Sequence, residues 1–130
     1  MPPLSLRAHD GTRHELRDVD RATLVHFWAT WCPPCRVELP GLLALRDEHS
    51  IDVVAIALDR DWADVEQFLS RRAPSRIFLG DAARIEAQFG VRSLPVTFFI
   101  EPGGHLRFRF DGARDWGNSS FVTDWIRSKE

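Results

Sequence analysis

The residues Thr23-Leu24-Val25-His26-Phe27-Trp28-Ala29 form a nearly unbroken apolar run with β-branched and aromatic members. After Thr30-Trp31 they lead directly into Cys32-Pro33-Pro34-Cys35. Such a run is expected of a strand covered on both faces, as happens inside a sheet with helices on either side. From Cys35 onward, Val37, Leu39, Leu42, Leu43 and Leu45 recur at helical spacing as far as Arg46. Pro40 interrupts that pattern after about one turn and is expected to kink the helix, whose start the spacing places at the cysteines. That strand is therefore expected to be central in its sheet, and it feeds a helix through the two cysteines.

The rest of the chain alternates in the same manner. Leu4 to Arg17 brackets Asp10-Gly11, the signal for a small hairpin. Ile51 to Leu58 reads as a second buried strand, followed by an amphipathic helix carrying Trp62, Val65, Phe68 and Leu69 after Asp59-Arg60-Asp61. A short strand at Arg76 to Leu79 and a helix from Asp81 to Phe89, stopped by Gly90, come next. Val96 to Ile100 and His105 to Phe110 flank Pro102-Gly103-Gly104 as an antiparallel hairpin, with Leu106, Phe108 and Phe110 expected on one side. A last helix is expected from near Asn118 to Ser120, with Phe121, Val122, Trp125 and Ile126 on one face. The predicted order β-β-β-α-β-α-β-α-β-β-α gives an α/β layered sheet. No repeat, low-complexity tract or linker divides it, so residues 1–130 are read as one domain, with 1–20 an N-terminal hairpin and 21–130 the core.

Composition matters here mainly for what it excludes. The 17 basic and 19 acidic residues, net charge −2, are scattered with no basic stripe, which argues against nucleic acid as a partner. Lys129 is the only lysine, and a guanidinium does not shed its proton to act as a base or form a Schiff base. No stretch reaches the roughly 20 apolar residues of a membrane span, and Met1-Pro2-Pro3-Leu4 has neither the basic nor the apolar region of a signal peptide. The chain as given is therefore expected to be soluble, a monomer is expected, and a trimmed leader or anchor leaves the compartment open.

Two cysteines three positions apart admit a redox pair, half of a metal site, or two small core residues. Context favours redox chemistry. At a helix start, the Cys32 sulfur meets the positive end of the helix dipole and free backbone N–H groups, which favour thiolate, the form that attacks disulfides. Cys35, one turn inside and next to Val37 and Leu39, is expected to be shielded and to resolve the mixed disulfide on Cys32. Pro33 and Pro34 bring no N–H, so the Cys32 thiolate is expected to lean on the N–H of Cys35 and the dipole alone. The rival is a zinc site joining the cysteines to His9 and His14, although those histidines bracket a turn signal and read more simply as solvated. No metal and no organic cofactor is expected beyond the cysteine pair itself. Trp31, just before an exposed nucleophile, reads as substrate-covering surface. His26 reads either as a satisfied core histidine or as a neutral imidazole able to accept the Cys35 proton. Trp28, Phe27, Phe98 and Phe99 read as core, and the charged residues of the helices as a solvated face.

From Phe27 through Trp31-Cys32-Pro33-Pro34-Cys35-Arg36-Val37-Glu38-Leu39 to Pro40, and again at Val91-Arg92-Ser93-Leu94-Pro95-Val96-Thr97-Phe98-Phe99-Ile100, the sequence resembles the TlpA-like branch of the thioredoxin superfamily. The resemblance implies a thioredoxin fold, a central mixed β-sheet flanked by helices with an N-terminal β-hairpin extension. It also implies that Pro95 is a cis-proline facing the cysteines, with the Leu94 backbone brought up to a bound substrate chain. Members are typically extracytoplasmic, membrane-tethered reductases of protein disulfides, often serving cytochrome c maturation and re-reduced by another thiol protein. The resemblance therefore implies a periplasmic place for this chain if a leader was trimmed, and a cytoplasmic one otherwise. His26 stands where thioredoxin has a buried acid, and Arg60 lies near where some cytochrome-maturation members carry a glutamate. Non-catalytic binding through the Pro95 groove is the alternative outside redox chemistry. Oxidase or isomerase action is the alternative within it, since direction follows reduction potential.

Overall fold

A computed structural model of the chain describes residues 3–17, 19–48, 51–69, 76–116 and 124. Its elements are β1 (Leu4–Arg7), β2 (Arg13–Leu16), β3 (Thr23–Trp28), α1 (Pro33–Glu48), β4 (Asp52–Ala57), α2 (Trp62–Leu69), β5 (Ile77–Leu79), α3 (Ala82–Phe89), β6 (Val96–Glu101) and β7 (His105–Asp111). Of the helix expected over Phe121 to Ile126, all but Asp124 lies outside the described residues. One mixed sheet takes the seven strands in the order β2-β1-β5-β4-β3-β6-β7. β3, β4 and β5 are parallel, and β1, β6 and β7 pair antiparallel to their neighbours. The N-terminal hairpin is therefore part of the sheet, joined to it where Arg7 faces Leu79.

β3 is buried at all six positions, because it has strands on both sides and helices on both faces. Its side chains alternate between two cores. Val25 and Phe27 join Leu4, Leu6, Val54, Ile56, Phe98 and Ile85 of α3 on one face. On the other face Leu24 meets Leu42 and Leu45 of α1, and Trp28 meets Cys35 and Leu39 of α1 with Val65 of α2. His26 lies between Leu24 and Trp28 on that second face, under α1.

α3 shows both expected end signals. The Asp81 side chain accepts from Arg84 N at 3.1 Å, and Gly90, at φ 66°, donates its N–H to Glu86 O, since a left-handed residue ends a helix at least cost when it is glycine. β7 departs from expectation. A register shift between Phe99 and Ile100 sets Phe108 opposite Phe99 but Leu106 opposite Ile100. Because successive residues of β6 face opposite sides, Leu106 does not share a side with Phe108 and Phe110; the bulge inserts one residue and breaks the alternation.

Candidate active site

The junction between β3 and α1 is a tight turn held at both ends. Cys32 N donates to Ala29 O at 3.2 Å, and Leu58 N, just past β4, donates to Trp28 O at 2.8 Å. Asp59, the next residue, accepts from Thr30 N at 3.1 Å and from Thr30 Oγ1 at 2.5 Å. The end of β4 thus fastens the loop that delivers Trp31 and Cys32.

α1 begins at Pro33, between the two cysteines, where the sequence places the helix start. The Cys32 carbonyl accepts the first helical bond, from Arg36 N at 3.2 Å, which makes Cys32 the N-cap, Pro33 and Pro34 the first two helical residues, and Cys35 the third. The prolines fit because the first N–H groups of a helix have no intrahelical acceptor and proline's fixed φ is already helical. Pro40 sits inside α1, which continues to Glu48.

Cys32 and Cys35 form a disulfide with their Cα atoms 5.4 Å apart. Cys35 is fully buried and Cys32 is only 6% exposed, so the expectation of an exposed nucleophile is corrected: Cys32 is buried in one apolar cluster with Cys35, against which Leu94 packs. Val37, expected to shield Cys35, points outward at 84% exposure. It falls on the opposite side of α1 from Cys35 and Leu39, and the shield is instead Trp28, Leu39, Ala55, Ala57 and Val65. Across the site, the Leu94–Pro95 peptide is cis, and the Leu94 carbonyl oxygen lies 3.7 Å from Cys32 Sγ. Pro95 is buried at the start of β6, while Pro33 and Pro34 are exposed and Trp31 stands out at 68% exposure.

Between β3, β6 and α1 lies a buried polar group. His26 on β3 faces Thr97 on β6, and its Nδ1 is 2.8 Å from Thr97 Oγ1 and 3.4 Å from Glu38 Oε1. His26 Nε2 has no hydrogen-bond partner among the described residues. A hydrogen placed there would be an orphaned buried donor, costing about 1–3 kcal/mol, so the hydrogen belongs on Nδ1, which donates to Thr97. Burial holds the His26 pKa down at about 3, against an ordinary 6.5, because a dry site penalises the imidazolium. Glu38 is displaced the other way. Burial raises its carboxyl above the usual value, against the lowering effect of the Arg114 N–H that donates to it and of the Arg114 charge.

The histidines of the zinc alternative are engaged elsewhere. His9 meets the Trp62 ring edge-on at 6.3 Å, and His14 lies 5.3 Å from the Phe78 ring. Among the described residues, no three His, Cys, Asp or Glu side chains are grouped to hold a metal ion.

The family model described as AhpC/TSA family matches residues 1–109. The chain belongs to the AhpC/TSA family. Among curated proteins it is 30% identical over 112 residues to the thioredoxin-like protein YneN of Bacillus subtilis, an alignment covering 82% of this chain and 66% of that protein. To the thiol:disulfide interchange protein HelX of Rhodobacter capsulatus it is 32% identical over 107 residues, 78% of this chain and 57% of that one. It thus spans 57–66% of the length of these relatives. Its fold superposes on the thioredoxin domain of a thiol-disulfide oxidoreductase from Bacteroides vulgatus with a TM-score of 0.78 and 19% identity, covering 96% of this chain and 94% of that one. The thioredoxin-like mixed sheet expected from the sequence is the fold of this AhpC/TSA-family chain.

Two residues of the site escaped sequence reasoning. As a charged helix residue Glu38 reads as part of a solvated face, yet it is buried. Its position three residues after Cys35 and four before Leu42 puts it on the buried stripe of α1, and that spacing was the available signal. Asp59 carries no such signal, since its partner Thr30 is 29 residues away.

Proposed function

We propose that this chain is a thiol:disulfide oxidoreductase that reduces disulfides in polypeptides. The carrying observation is the Cys32–Cys35 disulfide at the N-terminus of α1, with the Leu94 carbonyl 3.7 Å from Cys32 Sγ. In the dithiol form, the Cys32 thiolate attacks one substrate sulfur, and the other substrate sulfur leaves as thiolate and takes up a proton. Cys35 then gives up its proton and attacks Cys32 Sγ, forming the Cys32–Cys35 disulfide and releasing the second substrate thiolate, which is protonated in turn. Two electrons and two protons pass to the substrate. The helix dipole stabilises the attacking thiolate. The Leu94 backbone, beside buried Pro95, offers an edge on which a substrate strand can lie, and exposed Trp31 covers its apolar side chains.

The proton of Cys35 needs a buried acceptor. An imidazole with a pKa of about 3 binds protons too weakly for that task. Glu38, with its pKa raised toward the working range and one helical turn from Cys35, is better matched. His26 then acts as a positioning residue beside Glu38 rather than as the base. The dithiol pair needs no further cofactor, the substrate is a protein disulfide, and a second thiol protein re-reduces the pair. The chain works as a single monomeric domain, and the resemblance to TlpA-like reductases supports an extracytoplasmic place and a part in cytochrome c maturation.

The test is the reduction potential, read from tryptophan fluorescence in thiol buffers, because Trp28 packs with both cysteines. A value near about −270 mV, that of thioredoxin, is expected of a reductase. A value near about −120 mV would make the chain an oxidant, and the absence of any transition in the wild type, as in a Cys35→Ser control, would overturn the redox reading.

A further inference from the structure

A cleft of about 430 Å³ opens at the end of the sheet that carries the redox site, lined by Arg7, Arg13, Arg60 and Arg84 together with Asp59 and Asp81. The chain as a whole carries more acid than base, 19 against 17, so a concavity with four cations and two anions is not its average surface. Arg7 and Arg13 stand directly opposite each other across β1 and β2, where like charges are destabilising. Among the described residues, the arginines that form ion pairs are Arg17, Arg76, Arg92, Arg107 and Arg109. None of the four cleft guanidinium groups has a hydrogen-bond or ion-pair partner there. Both carboxylates are already engaged, Asp59 by Thr30 and Asp81 by the first turn of α3. The cleft thus holds positive charge that the fold does not neutralise.

Its place links it to the cysteines. β3, β4 and β5 are parallel, so Cys32, Arg60 and Arg84 all follow the same, C-terminal, end of the sheet, where open α/β sheets bind their ligands. Asp59 in the cleft wall is bonded to Thr30, which precedes Cys32 by two residues, a chain span of at most about 7 Å. The register that sets Arg7 opposite Leu79 also puts Arg7 and Arg13 on the sheet face of Leu79, which packs in one cluster with both cysteines.

We infer that this cleft seats the carboxylates of an acidic segment in the polypeptide that exchanges its disulfide with Cys32, an inference that rests on the redox reading above. A guanidinium fork matches a carboxylate in two-bond geometry, and four unpaired forks at the same end of the sheet as the attacking sulfur select a partner with Asp or Glu flanking its cysteines. Opposed charge also accelerates encounter, more strongly at low salt.

The experiment uses two synthetic peptides closing the same disulfide, one flanked by Asp and Glu and the other by Asn and Gln. Each is mixed with the dithiol form of the wild type or of an Arg7→Gln/Arg13→Gln variant, and the second-order exchange rate is followed by tryptophan fluorescence. The wild type is expected to react about tenfold faster with the acidic peptide at low salt. That preference should shrink as salt is added and fall below about twofold in the variant. Because the variant relieves a like-charge contact, its unfolding midpoint should hold or rise, and a fall would mean the arginines are structural and overturn the inference. Equal rates for both peptides in the wild type, or a preference that survives in the variant, would overturn it while leaving the thiol exchange intact. Stabilisation of the wild type alone by inorganic phosphate, with no peptide preference, would assign the cleft to a free anion and overturn it as well. No exchange with either peptide would remove the redox reading itself, and this inference with it.

Discussion

Glu38 Oε1 lies 3.4 Å from His26 Nδ1, both side chains buried between β3 and α1, and burial displaces their pKa values in opposite directions. Two titratable groups whose surroundings push them apart mark out an acid–base assignment. The carboxylate holds protons more tightly than usual and the imidazole less tightly, which is why the proposed mechanism sends the proton shed by Cys35 to Glu38.

Glu38→Gln keeps the shape and removes the base. The attack of Cys32 should be little changed, while the resolving attack of Cys35 slows by about 10²-fold or more at neutral pH and recovers as the pH is raised. Rapid mixing with a peptide disulfide separates the two steps, since the mixed disulfide accumulates only when resolution is slow. A variant whose resolving step keeps the wild-type pH profile would remove Glu38 from proton transfer.

His26 sets how stability responds to acid. Its pKa is about 3 in the folded chain and 6.5 ordinarily, so between those values the unfolded chain binds a proton that the folded chain does not. Stability from this group therefore rises with pH across that window and is lost as pH falls through it. Glu38 works in the opposite sense: with its folded pKa raised, it holds a proton where the unfolded chain has lost one, and its contribution falls as pH rises above 4.5. Urea unfolding of His26→Gln should show acid destabilisation reduced by an amount on the order of a few kcal/mol. Parallel pH curves for variant and wild type would show that the histidine is not responsible.

The strands and helices were legible because their signals are local. The apolar run of β3, the Asp81 and Gly90 ends of α3 and the Asp10-Gly11 turn need only their neighbours in sequence to be read. The cysteine pair was legible for the same reason. What was not legible depends on contacts between distant segments: the Asp59 clasp on Thr30, the cover over Cys32, and the meeting of Arg7, Arg60 and Arg84 at one end of the sheet. The bulge in β7 belongs with these, since an extra residue leaves the spacing of Leu106, Phe108 and Phe110 unchanged in sequence while it splits them in space. Glu38 is the intermediate case, readable from helical spacing but hidden by the habit of placing acids on the solvent side.

The Asp59 clasp should matter for both stability and rate. Asp59→Ala leaves the half-buried Thr30 N–H without its acceptor, a loss of about 1–3 kcal/mol, and frees the turn that carries Trp31 and Cys32. Denaturant unfolding should give a lower midpoint, and exchange with a peptide disulfide should slow. Thr30→Val, which removes the hydroxyl bond but keeps the backbone one, should fall between the two proteins. If Thr30→Val were as damaging as Asp59→Ala, the backbone bond would contribute nothing.

The reactivity of Cys32 depends on which proline lacks its N–H. An N-cap side chain accepts from the N–H of the second or third helical residue, and with Cys32 at the cap these are Pro34 and Cys35. Pro34 has no N–H, so in the dithiol form one of the two donors that would steady the Cys32 thiolate is missing. Pro33, at the first helical position, would not supply it in any case. From the sequence alone, Pro33 and Pro34 share this effect; the observed start of α1 assigns it to Pro34. Pro34→Ala should therefore lower the Cys32 pKa by about one unit, the size expected of a hydrogen bond to a charged group, while Pro33→Ala lowers it less. Thiolate absorbance across a pH titration of the two reduced variants decides the matter. A larger drop for Pro33→Ala would mean that the helix starts earlier in the reduced protein, and equal small changes would leave the helix dipole as the main support of the thiolate.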